Sequence, residues 1–281
     1  MKPTWIAAAM ALVLAPLTAL AAPDADTWRE LDYENALILD TTKGRVVIEM
    51  VPEAAPLHVE QIKTLARQDL YDGLTFFRVI DWFMAQGGDP ENTGEGGSQL
   101  PDLPAEFTFR RYADTPFTPM AVQGGSVVGL VRSLPVFSQP DVMFDRTGDQ
   151  GATGWATYCA GVAGMARGED PNSANSQYFL MREAYPSLDK RYTAWGRVIL
   201  GLDVVRAFET GEPVERPDWV RDLRVAADVP VADRGRIYLM RGDSKTFARL
   251  VDDVRDDLEA NFSACDVPIP VRIESSHNDN D

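Results

Sequence analysis

The stretch that decides the fold is Phe76-Phe77-Arg78-Val79-Ile80-Asp81-Trp82-Phe83-Met84-Ala85-Gln86-Gly87-Gly88-Asp89. Phe76 to Ile80 and Phe83 to Gln86 read as two short strands around a bend at Asp81-Trp82, and Gly87-Gly88-Asp89-Pro90 ends the second. Arg78 is the one strong hydrogen-bond donor among Phe77, Val79, Phe83 and Met84. Gln86 follows Met84 by two residues, so both face the same side of a strand. Standing alone, an apolar pentapeptide with one arginine is most often an edge strand with a surface ion pair. The remainder of the chain decides whether Arg78 does more.

On the N-terminal side, Leu37-Ile38-Leu39 and Arg45-Val46-Val47-Ile48-Glu49-Met50, with a Lys43-Gly44 turn between them, predict a hairpin. Pro56 suits a first helical turn, with Val59, Ile62, Leu65 and Ala66 as the buried stripe. His58 sits in that turn and reads as an exposed or capping histidine. On the C-terminal side, Asn92 to Ser98 is glycine-rich but lacks the Lys and following apolar helix of a phosphate-binding loop. Residues 110–158, with Pro116, Pro119, Pro135 and Pro140, read as a long surface excursion holding one strand, Ser126 to Val131. Further strands are predicted at Gly161 to Ala166, Ser176 to Arg182, Ala194 to Ile199 and Leu223 to Ala226. A short helix is predicted at Leu202 to Glu209, with Val205 and Phe208 inward. Many short strands, two short helices and no strand–helix alternation predict an antiparallel barrel or sandwich. Beyond Pro230 come a brief strand, Ile237 to Met240, and a helix capped by Ser244. Its apolar stripe is Phe247, Leu250, Val251, Val254, Leu258 and Phe262. Arg241-Gly242-Asp243 spells an adhesion tripeptide, which three common residues in a turn give by chance.

The 281 residues are 45% hydrophobic and 25% charged, a globular balance that excludes disorder as the main state. A formal net charge of −16 argues against nucleic acid or anionic membrane as partner. The histidines are His58 and His277 and the cysteines Cys159 and Cys265, with no zinc-site spacing among the four. Met1-Lys2, the apolar run Ile6 to Leu20 and the small-x-small Ala19-Leu20-Ala21 predict a secretory signal peptide over 1–21. No Cys follows the run, so no lipoprotein anchor is expected. No later stretch is long and apolar enough to cross a bilayer. Export across an inner membrane to a periplasm is therefore expected, with no membrane insertion after cleavage.

The stretch quoted first resembles the signature strand pair of the cyclophilin family of peptidyl-prolyl isomerases. Gly164-Met165-Ala166-Arg167 with Pro171-Asn172-Ser173-Ala174-Asn175-Ser176-Gln177-Tyr178-Phe179 is similar to the family's second signature. Leu188-Asp189 to Trp195-Gly196-Arg197-Val198 is similar to the stretch after it. The three stand in the family's order and near its spacing, over roughly Glu34 to Val229. The resemblance implies a mainly β fold: an eight-stranded antiparallel cyclophilin-like β-barrel with two capping helices. The isomerase domain would span 34–230, with a long insertion at about 110–158, and a C-terminal strand–helix appendage would span 231–281. The implied activity is peptidyl-prolyl cis-trans isomerisation of exported or unfolded proline-containing polypeptides, with no cofactor and no metal. The resemblance makes Arg78 the catalytic residue and assigns Phe83, Met84, Phe179 and Leu188 to the proline pocket. Gln86 and Gln177 match amides that position the peptide, and Ala166 and Arg167 a segment that contacts it through the backbone. Phe77 and Tyr192 stand in the substrate-binding set where the family commonly carries histidine.

The same chemistry follows from physics. Rotation about an X–Pro bond is opposed by amide resonance, a barrier of ~18–20 kcal/mol. Lowering it takes a pocket that grips the proline ring and a donor aimed at the lone pair of the prolyl nitrogen. That donor favours the pyramidal nitrogen of the twisted transition state. A guanidinium is always charged and its fork is rigid, so it supplies differential transition-state binding by fixed electrostatics. The other reading is a polypeptide-binding chaperone or assembly module with little isomerase activity. Such a binder need not keep Arg78, Phe83, Met84, Gln86 and Phe179 together.

In an oxidising compartment Cys159 and Cys265 can pair. A bond would close a loop of ~100 residues and tie the appendage to the barrel; two buried thiols suit the neighbouring Ala160, Gly161 and Ala264 equally. Ser187 aligns with the position where drug-binding members of the family offer an indole. Weak affinity for cyclosporin is therefore expected, and Ser187→Trp should tighten it by restoring an aromatic surface and a ring N–H donor. Calorimetric titration of both proteins checks this; tight binding by the wild type, or no gain in the variant, contradicts it.

Overall fold

The computed structural model describes residues 23–274. Residues 1–21, where a signal peptide is expected, and His277 lie outside the described residues. The chain begins with β1 (Trp28–Glu30), β2 (Ala36–Thr41), β3 (Arg45–Met50), helix α1 (Pro56–Arg67), β4 (Arg78–Val79) and β5 (Met84–Gly87). It continues through β6 (Phe109–Arg111), β7 (Phe117–Gln123), β8 (Ser126–Val131), β9 (Leu134–Ser138) and β10 (Ala152–Ala156). β11 (Val162–Met165), β12 (Tyr178–Met181), β13 (Ala194–Leu200), helix α2 (Leu202–Arg206) and β14 (Val220–Val225) follow. The C-terminal part holds α3 (Val231–Arg234), β15 (Arg236–Met240), α4 (Lys245–Leu258) and β16 (Val271–Glu274).

The largest sheet has eight strands in the order β14-β2-β3-β13-β11-β12-β5-β4. It is antiparallel and curls into a half-barrel; its edge strands β4 and β14 form no ladder with each other. β4 is only two residues long, because the chain bends at Asp81-Trp82. The gap is stitched by single bridges. Val79 and Gly211 exchange two backbone hydrogen bonds of 2.9 Å, and Val220 N donates to Leu74 O at 2.8 Å. Inside the curl, Leu37, Leu39, Val46 and Ile48 pack against Val59, Ile62 and Leu65 of α1 and Val205 of α2, with Phe208 just beyond.

The outer face of β2 is covered as well. Ala36 and Ile38 pack on Leu31, Ile237 and Leu239, which explains why Ala36 to Leu39 is an unbroken apolar run and not an alternating one. The cover is a three-stranded sheet, β1-β15-β16. The strand preceding the half-barrel therefore shares a sheet with two strands from beyond residue 230. β1, three residues long, carries no periodicity that a sequence could reveal. Arg29 on β1 donates to both Glu49 oxygens at 2.7 and 2.9 Å, and the Glu49 side chain is fully buried. A bidentate pair of this kind fixes orientation as well as charge.

Two expectations are corrected here. Residues 110–158 are not an irregular excursion: they supply most of a five-stranded antiparallel sheet, β6-β10-β9-β8-β7. Proline conceals it, since proline inside an apolar run argues against a strand. Pro119 lies on the edge strand β7 at a register shift, and Pro135 near the start of β9. Gly124 and Gly125, both at positive φ, make the tight turn between β7 and β8. His58 is not exposed either. It is fully buried, with Nδ1 2.6 Å from Glu106 Oε2, and it is Glu106 that accepts the N–H groups of Leu57 and His58 at the start of α1.

The second sheet packs on the half-barrel through Phe109, Val131, Leu134 and Val136 against Met84, Phe179 and Met181. Helix α4 docks on the second sheet and not on the half-barrel. Phe247 and Val251 pack on Met120, Val128 and Leu130 of the second sheet. Cys159 and Cys265 are bonded, with Cα atoms 5.0 Å apart across 106 positions of sequence. The bond fastens the segment after α4 to the cluster between the two sheets. Replacing both cysteines by Ala is expected to lower the unfolding free energy by about 2–5 kcal/mol, the range for a native disulfide. It should also abolish any effect of reductant on the midpoint. Denaturant unfolding of both proteins with and without dithiothreitol checks this; an unchanged midpoint contradicts it.

Candidate active site

Strand register brings the distant blocks together. Arg78 on β4 pairs with Gln86 on β5, and Gln86 in turn with Phe179 on β12. Met84 pairs with Met181, and Gly164 on β11 with Phe179. A pocket of about 220 Å³ opens over this junction, lined by Arg78, Phe83, Met84, Gln86, Ala166, Arg167, Phe179, Leu188 and Tyr192. Nine of the residues singled out from the sequence thus meet in one pocket. Gln177 lies in an adjoining pocket with Gly94, Gly96 and Asn175, and Gln86, Ala166 and Arg167 line both. Phe77 lines neither. It is buried, with the backbone of Gly94 close over its ring, as expected for the neighbour of Arg78 on a strand.

The apolar wall is held by ring contacts. Phe179 stacks on the buried Tyr158 at 5.8 Å and meets Tyr192 edge-on at 5.9 Å. The Arg167 guanidinium lies 4.6 Å from the Tyr192 ring centroid and donates to Arg191 O at 3.0 Å. Its charge is thereby turned along the rim. The polar side is a relay. Arg78 Nε donates to Glu212 Oε1 at 2.6 Å and Nη1 to Gln86 Oε1 at 3.3 Å. Gln86 Nε2 donates to Gln177 Oε1 at 3.0 Å, and Gln177 Nε2 donates to the carbonyls of Gly94 and Gly96 at 3.0 and 2.8 Å.

Two carboxylates that hold this relay escape sequence reasoning. Glu212 lies 134 positions from Arg78 and reaches it only because Gly211 bridges Val79. No local pattern signals that. Asp89 could have been suspected, as a carboxylate heading a glycine-rich loop. It has no exposed surface, and its oxygens accept the N–H groups of Glu91, Thr93, Gly94 and Gly96. The loop's backbone donors are thus filled by its own acid. A Cβ at Gly96 would collide with the Asp89 carboxylate, so glycine is required there.

The cyclophilin type peptidyl-prolyl cis-trans isomerase/CLD family model matches residues 36–231. A probable peptidyl-prolyl cis-trans isomerase of Brucella suis is 33% identical over 234 residues, covering 78% of this chain and 96% of the relative. The peptidyl-prolyl cis-trans isomerase ppi1 of Schizosaccharomyces pombe is 31% identical over 183 residues, covering 63% of this chain and 90% of the relative. Among solved structures, the cyclophilin AquaCyp293 from Hirschia baltica matches with a TM-score of 0.82 at 36% identity, covering 90% of this chain and 96% of that one. The chain belongs to the cyclophilin family and is a peptidyl-prolyl cis-trans isomerase of that type.

Burial alone would raise the Asp89 carboxyl. The N–H donors of Glu91, Gly94, Gly96 and Thr93 outweigh it and hold the group below its ordinary value of 3.8. A depressed folded-state value contributes stability that is complete above about pH 4 and is lost as pH falls through that value. The loop that holds Gln177 is thus expected to loosen below about pH 4 in the wild type, and at neutral pH in Asp89→Asn. Amide chemical shifts of Gly94 and Gly96 followed from pH 7 to pH 2.5 check this; identical shifts and titration in the two proteins contradict it.

Proposed function

We propose that Arg78 is the donor that lowers the X–Pro barrier and that the apolar pocket beside it seats the proline ring. The observation that carries this is the guanidinium held at the pocket by Glu212 on Nε and Gln86 on Nη1. Among the described residues, Nη2 makes no hydrogen bond. With its orientation set from two sides, the guanidinium can meet the prolyl nitrogen as the amide twists, and little reorganisation is needed at that moment. Phe83, Met84, Phe179 and Leu188 grip the ring, with Tyr192 closing the far wall. Gln86 and Gln177 offer amide groups to the peptide, and the Ala166–Arg167 backbone lies where an extended chain can pair with it. No nucleophile, metal or cofactor enters the reaction.

The substrates in this reading are unfolded or newly exported polypeptides with accessible X–Pro bonds, met in the periplasm. The leader-like 1–21 segment and the Cys159–Cys265 bond support that location, since disulfides persist in oxidising compartments. We divide the chain into the isomerase unit 34–230, with the second sheet inserted in it, and the appendage 231–281. The alternative of a binding module with little activity gains nothing from a site that keeps donor and pocket together.

Arg78→Ala is expected to lower kcat/KM on a short X–Pro peptide by ~10²-fold or more, the scale of losing one transition-state donor. Arg78→Lys keeps the charge but loses the fork and should recover only a small part of it. A protease-coupled isomerisation assay, with circular dichroism to confirm the fold, checks both; activity within a few-fold of wild type in folded Arg78→Ala overturns the mechanism.

A further inference from the structure

The proline pocket does not account for Trp82. The residue is 63% exposed. It lies at the bend between β4 and β5, stacked on Phe83 with centroids 5.8 Å apart and planes at 25°, and tilted against Tyr185 at 6.1 Å. Phe83 and Tyr185 are themselves 4.7 Å apart. The bend is firmly built. Ile80 O accepts from Phe83 N at 3.0 Å and Met84 N at 3.1 Å. Asp81 pairs at 2.7 Å with the buried Arg182, whose N–H donates to Phe83 O at 2.9 Å. An indole left facing water on a fixed turn is apolar area that the fold does not cover. Because Phe83 lines the pocket, the three rings continue the pocket wall outward as one surface.

The direction of the peptide follows from the donor. Gln86, which accepts from Arg78, stands on the side of the pocket that opens toward Gln177 and Gly94. In the proline-pocket reading Arg78 faces the prolyl nitrogen while the Gln86 and Gln177 amides hold the residues before the proline, which therefore lie on that side. The residue after the proline leaves across Phe83. We propose that Trp82 and Tyr185 form a shelf for the side chain of the residue following the proline, selecting aromatic and large aliphatic side chains there. The proposal rests on the proline-pocket reading above. It names as preferred sites the X–Pro–Phe and X–Pro–Leu sequences that unfolding exposes, over X–Pro–Ala and X–Pro–Asp. Rigid aromatic rings suit such a surface, since they supply large contact area with little ordering cost.

The test compares two peptides, Ala-Ala-Pro-Phe-Ala and Ala-Ala-Pro-Ala-Ala, by exchange NMR, which needs no coupling protease. The wild type should favour the Phe peptide in kcat/KM by roughly five- to tenfold, the size of one aromatic contact, and mainly through KM. Trp82→Ala should bring the ratio close to one, and Trp82→Phe should keep most of it. Indole emission of the wild type should shift to the blue on titration with the Phe peptide, and the shift should vanish in Trp82→Phe. A wild-type ratio near one, or a ratio unchanged in Trp82→Ala, overturns the shelf. Failure of the proline-pocket reading would show differently, as a folded Arg78→Ala protein that still isomerises both peptides at the wild-type rate.

Discussion

The antiparallel register of β4, β5 and β12 is the constraint on which the site depends. It sets Arg78 across from Gln86 and Gln86 across from Phe179. One strand pair thus supplies the donor and the amide, and the next adds the apolar wall. A slip of one residue in either ladder would turn all these side chains to the opposite face. The register is held by neighbours on every side. Gly164 lies where a Cβ would strike the Phe179 ring, so β11 approaches that ring as only glycine permits. Asp89 holds the loop that follows β5, and the Gly211–Val79 bridge holds the edge of β4.

The second sheet, which the chain forms between β5 and β11, also shapes the site. Met84, Phe179 and Leu188 line the pocket and also belong to the cluster formed with Phe109, Leu134 and Val136. The floor of the pocket is therefore shared between the half-barrel and the second sheet. α4 packs on another part of that sheet, and the Cys159–Cys265 bond joins the chain beyond α4 to the shared cluster. β1 and Glu49 secure the remaining side, where a buried carboxylate without its Arg29 partner would carry a large desolvation cost. The three sheets, α4 and the disulfide thus brace one another around the site.

The parts of this arrangement legible in the sequence were those encoded locally. Arg78, Phe83, Met84 and Gln86 lie within nine consecutive residues, and strand alternation gives their faces. α1 announces itself by its stripe and Pro56, α4 by its stripe and cap, and Ser244 does accept the N–H of Phe247 at 3.0 Å. What escaped was either long-range or disguised. Glu212 is brought in by a bridge, not by a motif. The second sheet is masked by Pro119 and Pro135, which sit at a register shift and near a strand start. β1 is too short to show a period, and His58 looks like a surface residue until Glu106 arrives from 48 positions away. The family resemblance supplied the site's membership, but not the two carboxylates, Glu212 and Asp89, that hold it in place.

If a fixed guanidinium performs the catalysis, no group needs to change protonation during turnover. Arginine stays charged throughout the accessible range, and Phe77 and Tyr192 stand where a histidine could have introduced a step near neutrality. The most direct measurement is the pH dependence of kcat/KM on a single uncharged X–Pro peptide. Isomerisation should be accelerated well above the spontaneous rate, with a flat profile between pH 5.5 and 9. An inflection near pH 6–7, or no acceleration at any pH, would contradict the account.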